Sequence, residues 1–198
     1  MVVRVHSLLF THLVWDLGYN DSMSIGFIQK AGSSVRFIDF IEDNHLGYED
    51  YLQMIRAKVE EHGYRIAIDG RKGGKAWLPH DGKAKNPQTK KSPIELLNDL
   101  GLKTDREGVP NIGIKGRIEA GRQMFPRVMF DAQHCTPLFN RLRRYARVIN
   151  LEDQATSIKK DGNDHAGDMY TYAAVIEKRL DNEAEDLQPI EYDNTGIV

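Results

Sequence analysis

Within its first 42 residues the chain carries three short runs rich in β-branched and aromatic side chains: residues 9–16 ("LFTHLVWD"), 23–30 ("MSIGFIQK") and 34–42 ("SVRFIDFIE"). Each is shorter than an ordinary amphipathic helix, and the intervening "GYND" and "AGS" supply residues that take turn conformations at little cost. The spacing predicts a three-strand antiparallel meander. Its first strand ends on Asp16, a carboxylate at the lip of a buried run. A charge there is costly unless a cation, a metal or solvent compensates it, so Asp16 is the first residue that needs a reason.

Downstream, "GYEDYLQMIRAKVEEHG" (47–63) sets Tyr48, Tyr51, Leu52, Ile55 and Val59 on one helical face and stops at Gly63. "YRIAID" (64–69) and "KAWLPHD" (75–81) read as strands around the glycine-rich, basic "GRKGG", and the second again ends on an aspartate, Asp81. Ser92, Pro93 and Glu95 open a helix through a capping box, and Gly101 closes it. Strands and helices then alternate. "VPNIGI" (109–114) predicts a short strand, "KGRIEAGRQMF" (115–125) a helix, "VMFD" (128–131) an extended piece and "TPLFNRLRRYARV" (136–148) a basic amphipathic helix. "NDHAGDMYTYAAVIEKRL" (163–180) predicts a last helix with Met169, Tyr172, Ala173 and Ile176 inward. Residues 1–180 are thus expected to form one domain, and the acidic, apolar-poor stretch 181–198 a disordered tail.

The formal net charge of −2 conceals segregation. Between residues 71 and 91 lie seven bases (Arg71, Lys72, Lys75, Lys83, Lys85, Lys90, Lys91) against one acid, Asp81, whereas residues 177–193 hold seven acids against two bases. Cys135 is the single cysteine, which excludes a disulfide within the chain and a cysteine-rich zinc site and favours a reducing compartment. No segment has the roughly 20 apolar residues of a membrane span. "GRKGGKAW" has neither the spacing nor the hydroxyl residue of an ATP-binding phosphate loop, so no ATP motor is expected in this chain.

Three carboxylates stand out by position: Asp16, Asp81 and Asp168, the last in the first turns of the final helix. Clustered carboxylates repel one another unless a hard cation bridges them, and Mg²⁺ or Mn²⁺ takes oxygen ligands for that purpose. Two such ions can clamp the attacking water and the leaving oxygen of a phosphodiester without a nucleophilic side chain. His165 lies three residues before Asp168, on the same helix face, where it can bind a metal, position water or only orient a neighbouring carboxylate. Asp164 shares that face, where a helix start favours an acid for its own sake. Asp69, at another expected strand end, is an alternative to Asp81.

The ordered fragments "WDLGYNDSMSIGFIQ", "VRFIDFIED", "GYEDYLQMI", "WLPHDG", "SPIELLNDLG", "IEAGRQMF", "LRRY" and "DHAGDMYTYA" resemble the C-terminal nuclease domain of the large terminase subunit of tailed bacteriophages over about residues 9–175. The resemblance implies an α/β, RNase H-like fold with a central mixed sheet flanked by helices. It also implies a metal-dependent endonuclease that cuts concatemeric double-stranded DNA during viral genome packaging with little sequence preference. By residue, it places the metal-binding acids on Asp16, Asp81 and Asp168, with His165 as a further catalytic residue, and two Mg²⁺ or Mn²⁺ ions as cofactors. Implied partners are DNA, a terminase ATPase domain, the small terminase subunit and the portal, in the host bacterial cytoplasm and away from membranes. Two departures matter: Asp164 stands where the family helix has serine, and Met169 where it has alanine. These keep open a catalytically weak DNA-clamping or assembly module, and a junction resolvase of the same fold is a further alternative. The bases at 71, 72, 75, 83, 85, 90 and 91 flank Asp81 and are expected to hold backbone phosphates, while the Arg141, Arg143, Arg144 and Arg147 cluster fits DNA or a protein partner equally.

Overall fold

The computed structural model describes residues 5–18, 22–149, 156–159 and 162–182. The meander forms where it is expected, as β1 (His12–Asp16), β2 (Met23–Ala31) and β3 (Ser34–Asp43). All three are antiparallel, with Asp16 opposite Ser24 and Ser24 opposite Glu42. Two short strands extend the sheet in parallel, β4 (Ala76–Trp77) beside β1 and β5 (Val128–Phe130) beside β3. The result is a five-stranded mixed sheet of order β4-β1-β2-β3-β5.

Period-two alternation gives this sheet two apolar faces. On one, Leu13, Trp15, Ile25 and Phe27 pack against Tyr51, Leu52, Ile55 and Val59 of α1 (Tyr48–His62) and Ile94 and Leu97 of α2 (Pro93–Asp99). On the other, Val14, Ile28 and Phe37 meet Met124 of α3 (Gly113–Met124), Leu138 of α4 (Thr136–Leu142) and Ala166, Met169, Ala173 and Ile176 of α5 (Asp164–Ile176). Both predicted caps are present. Gly63 ends α1 in the left-handed region at φ 69°, and Ser92 and Glu95 form the capping box of α2. Gly26 leaves room for the last helix's Met169: a Cβ there would lie 2.5 Å from Met169 Sδ, so a larger residue would require that side chain to move.

The structure departs from sequence expectation in six places. Residues 64–69 form no regular strand, only isolated bridges to Phe10, Gly74 and Leu102. The neighbouring glycines permit this, because a Cβ on Gly73 or Gly74 would come within 2.4 Å of the Arg65 or Thr11 backbone. The run 75–81 yields a strand only at Ala76–Trp77. After Pro79 the chain folds into a 3₁₀ turn, His80–Lys83, with Gly82 N–H donating to Pro79 O at 2.9 Å, so Asp81 sits in a turn and not at a strand end. "VPNIGI" makes no strand: Pro110 has no N–H to donate, and Val109 N–H donates to Leu78 O at 2.8 Å. The basic helix stops at Leu142 and the chain returns as β6 (Arg147–Ile149), paired with β7 (Thr156–Ile158), so Arg147 leaves the helix. The last helix ends at Ile176 and tightens into a 3₁₀ turn, Glu177–Arg179. Asp181 and Asn182 return to β1, where Asn182 Oδ1 accepts from Phe10 N–H at 2.9 Å and Asp181 O lies 2.8 Å from His12 Nε2. The rest of the expected tail, 183–198, lies outside the described residues.

Candidate active site

Because β1 and β4 are parallel neighbours, with Val14 opposite Trp77, the segments that follow them leave the sheet at the same end. Asp16 closes β1 there, and the turn bearing Asp81 begins three residues after Trp77. Alternation puts His12, Val14 and Asp16 on one face, the face covered by α5. α5 settles onto that face with Met169 against Gly26, and the i, i+3 spacing of the helix turns His165 and Asp168 toward the same end.

Asp16 Oδ2 lies 2.8 Å from His165 Nδ1, and both side chains are nearly buried. Burial pushes the Asp16 carboxyl up from 3.8 to about 6; the hydrogen bond from His165 works against that rise, and the charge of Asp168 adds to it. Asp168, 7% exposed, is held from α3 and from the segment after α4. Arg117 sets Nη1 2.7 Å from Oδ1 and Nη2 3.0 Å from Oδ2, and Tyr145 Oη donates to Oδ1 at 2.7 Å. Arg117 also reaches Thr171 Oγ1 at 3.3 Å and stacks over the Tyr172 ring at 5.1 Å. The Tyr172 phenol is raised above its ordinary range first by burial and then by the charge of Asp16, with Arg117 working against the rise. Asp81 itself is exposed and lines a cavity of about 310 Å³ with Leu17, Met23, Leu46, Tyr48 and Pro93 at this end of the sheet.

The donor chemistry suits a hard divalent ion: buried carboxylate oxygens that repel each other, with a third carboxylate nearby. Their present arrangement is not a closed cage. Among the described residues no three acidic, histidine or cysteine side chains are gathered tightly enough to hold one ion, and the cation on Asp168 is Arg117. Sequence reasoning missed Arg117, Tyr145 and Gly167. A Cβ on Gly167 would stand 2.0 Å from the Tyr145 ring, so the glycine between His165 and Asp168 makes room for the phenol that holds Asp168. A glycine inside a helix, where it costs about 1 kcal/mol, is the one local signal that pointed there.

The other expected residues are dispersed. Asp69 is taken up by Arg56, whose Nε and Nη2 each donate to it at 2.8 Å. Asp164 is buried at the start of α5, accepts from Gly162 N–H at 3.2 Å and lies 3.9 Å from His165 Nε2. Arg71, Lys72 and Lys75 line a cavity of about 320 Å³ with Phe10, two residues before β1 and so on the order of 20 Å from Asp16 at about 3.3 Å per residue. Arg71, Lys85 and Lys91 have carboxylate partners in Glu60, Glu95 and Asp99. Lys83 shares the turn of Asp81, and Lys90 lies in the following exposed loop. A larger polar groove, about 630 Å³, is lined by Arg141, Arg143, Arg144 and Glu42. Arg141 Nε is anchored 2.8 Å from Glu42, which faces Ser24 and through it Asp16, so this groove borders the same end of the sheet.

No family model matches the chain, and no curated protein sequence matches it. Solved structures do. The P22 large terminase nuclease domain superimposes with a TM-score of 0.64 at 15% identity, over 91% of this chain and 87% of that one. The nuclease domain of g2p, the large terminase of bacteriophage SPP1, crystallised with bound Mn, gives 0.57 at 15% identity over 91% and 93%. The large terminase of a thermophilic bacteriophage, in complex with ADP, gives 0.63 at 15% identity over 91% of this chain, which spans only 42% of that longer protein. The chain therefore has the RNase H-like fold of the nuclease domain of phage large terminases.

Proposed function

We propose that this chain is a metal-dependent endonuclease that cuts double-stranded DNA during viral genome packaging, with little sequence preference. The observation that best supports this reading is that β1 and α5 bring two nearly buried carboxylates, Asp16, paired with His165 at 2.8 Å, and Asp168, to one end of the sheet, where Asp81 stands in the exposed turn after β4. Asp16, Asp81 and Asp168 would hold divalent ions, Mg²⁺ or Mn²⁺ and two of them, which supply Lewis-acid polarisation of the phosphodiester and a more acidic water. The SPP1 domain of this fold was crystallised with Mn, which supports the choice of ion.

The chain's own residues have separable tasks. His165 hydrogen-bonds Asp16 through Nδ1, which orients the carboxylate, and would in addition bind an ion or position the attacking water. Asp81, in an exposed turn rather than a strand, can adjust to complete the ligand set. Lys83 beside it and the arginines of the groove at and after the end of α4 suit backbone phosphates, with Arg71, Lys72, Lys75, Lys85, Lys90 and Lys91 extending the basic surface. These basic side chains suit backbone phosphates, which carry no sequence information, in keeping with weak sequence preference. The match to the ADP-bound large terminase covers less than half of that protein, and a terminase ATPase domain, a small subunit and a portal are the partners this reading entails, in the host cytoplasm of a phage or prophage. No helix among the described residues is long and apolar enough to cross a membrane. Plasmid digestion with Mn²⁺ tests the function: wild type should nick and linearise, and Asp16→Asn and Asp168→Asn should not. Undiminished cutting by either variant would refute the assignment.

A further inference from the structure

Both carboxylate oxygens of Asp168 already have partners. Both of its oxygens face the Arg117 fork, and Oδ1 also accepts from Tyr145. With the carboxylate nearly buried, an ion that binds it in place of solvent meets a cation already paired with both oxygens. Tyr145 is wedged against Gly167, where the ring touches helix backbone, so it has little room to retreat. Arg117 has partners besides Asp168 that it can keep if the carboxylate is taken, Thr171 Oγ1 at 3.3 Å and the Tyr172 ring beneath its guanidinium. It also projects from near the start of α3, an end with no side-chain cap, opened by Gly113 at φ 71° and followed by Gly116. The partner that can yield is therefore Arg117.

We propose that Arg117 is a resident counter-cation that competes with the divalent ion for Asp168, so that the site takes up metal only as Arg117 withdraws onto Tyr172 and Thr171. The inference rests on the metal-dependent reading of the site and adds to it a residue that sets metal affinity. Paired, the guanidinium neutralises a buried carboxylate that would otherwise repel Asp16. An ion brings the same compensation with higher charge, and whichever is present excludes the other.

Calorimetric titration of Mn²⁺ into the DNA-free protein separates the possibilities without recourse to activity. Arg117→Gln should bind Mn²⁺ about tenfold more tightly than wild type, equivalent to about 1.4 kcal/mol. Arg117→Lys, which restores a competing charge, should return to within about threefold of wild type. Arg122→Gln removes a like charge from the same helix without touching Asp168 and should stay within about twofold. Unchanged or weaker binding in Arg117→Gln, or an equal gain in Arg122→Gln, would overturn the competition. Asp168→Asn distinguishes the two levels of failure: Mn²⁺ binding that survives it unchanged overturns the metal site and the competition together, whereas binding lost there but unaltered by Arg117→Gln overturns the competition alone. Should Arg117→Gln not fold, a wild-type crystal soaked in Mn²⁺ decides the same question. An ion on Asp168 with Arg117 swung away supports the proposal, and an ion there with the Arg117 pair intact refutes it.

Discussion

Replacing Asp16 by asparagine should stabilise the metal-free protein, and by an amount that depends on pH. The folded state holds the Asp16 proton more tightly than the unfolded chain does, because burial raises the carboxyl from 3.8 to about 6. Between those values the native state binds more protons than the unfolded state, so stability falls as pH rises through the window from about 4 to about 6 and stays reduced above it. A rise of this size corresponds to roughly 3 kcal/mol at pH 8 and to nothing well below pH 4. Asparagine keeps the shape and an Oδ1 acceptor for the N–H of His165, now 2.8 Å from the carboxylate, and removes only the charge. Asp16→Asn should therefore gain up to about 3 kcal/mol at pH 8, or about 6–12 °C in Tm for a chain of this size, and little at pH 4. Urea unfolding in EDTA, followed through the buried indoles of Trp15 and Trp77, measures the difference at each pH. His12, whose pKa is lowered mainly by burial, makes both proteins less stable as pH falls, and its contribution cancels in the comparison. A variant no more stable than wild type at pH 8, or a gain independent of pH, would refute the assignment of a strained, charged Asp16.

Other outcomes can be measured independently. Gly167→Ala should cost about 1–3 kcal/mol in thermal unfolding despite better helix propensity, because its methyl would stand 2.0 Å from the Tyr145 ring; a neutral effect would show that Tyr145 is free to move. Cys135 is fully buried, and its thiol is pushed up to about 12 by burial and by Asp39 and Asp131, so it should react with a thiol reagent only after denaturation; rapid labelling of native protein would contradict its placement. His165→Ala should cut DNA about 10²-fold more slowly even at saturating Mn²⁺, whereas full recovery on adding metal would leave it only the task of orienting Asp16. Lys83→Glu and Arg144→Glu should each lower the salt dependence of DNA binding by about one phosphate contact, and Arg71→Glu, at the far end of β1, by less; equal effects would place the DNA differently.

Local chemistry was enough to reveal the meander, α1 with its Gly63 stop and the Ser92 capping box, since alternation, helical periodicity and caps depend on residues a few positions apart. Asp16 was legible for the same reason: a charge ending an apolar strand is anomalous within its own segment. What tertiary structure decided was everything that joins distant segments. The expected strand at 64–69 became isolated bridges because Gly73 and Gly74 admit backbone at 2.4 Å, and the basic helix ended at Leu142 where Tyr145 turns to meet Gly167. Asp69, equivalent to Asp81 by pattern, was withdrawn by Arg56, thirteen residues away along the chain. Arg117 gave no sign in sequence, because an arginine on a half-polar helix looks like surface until the helix is packed. Only the packing of α5 on β2 at Gly26 and of α3 on α5 at Gly121 puts its guanidinium on a carboxylate 51 residues further on, in a nearly buried site where such a charge acts strongly.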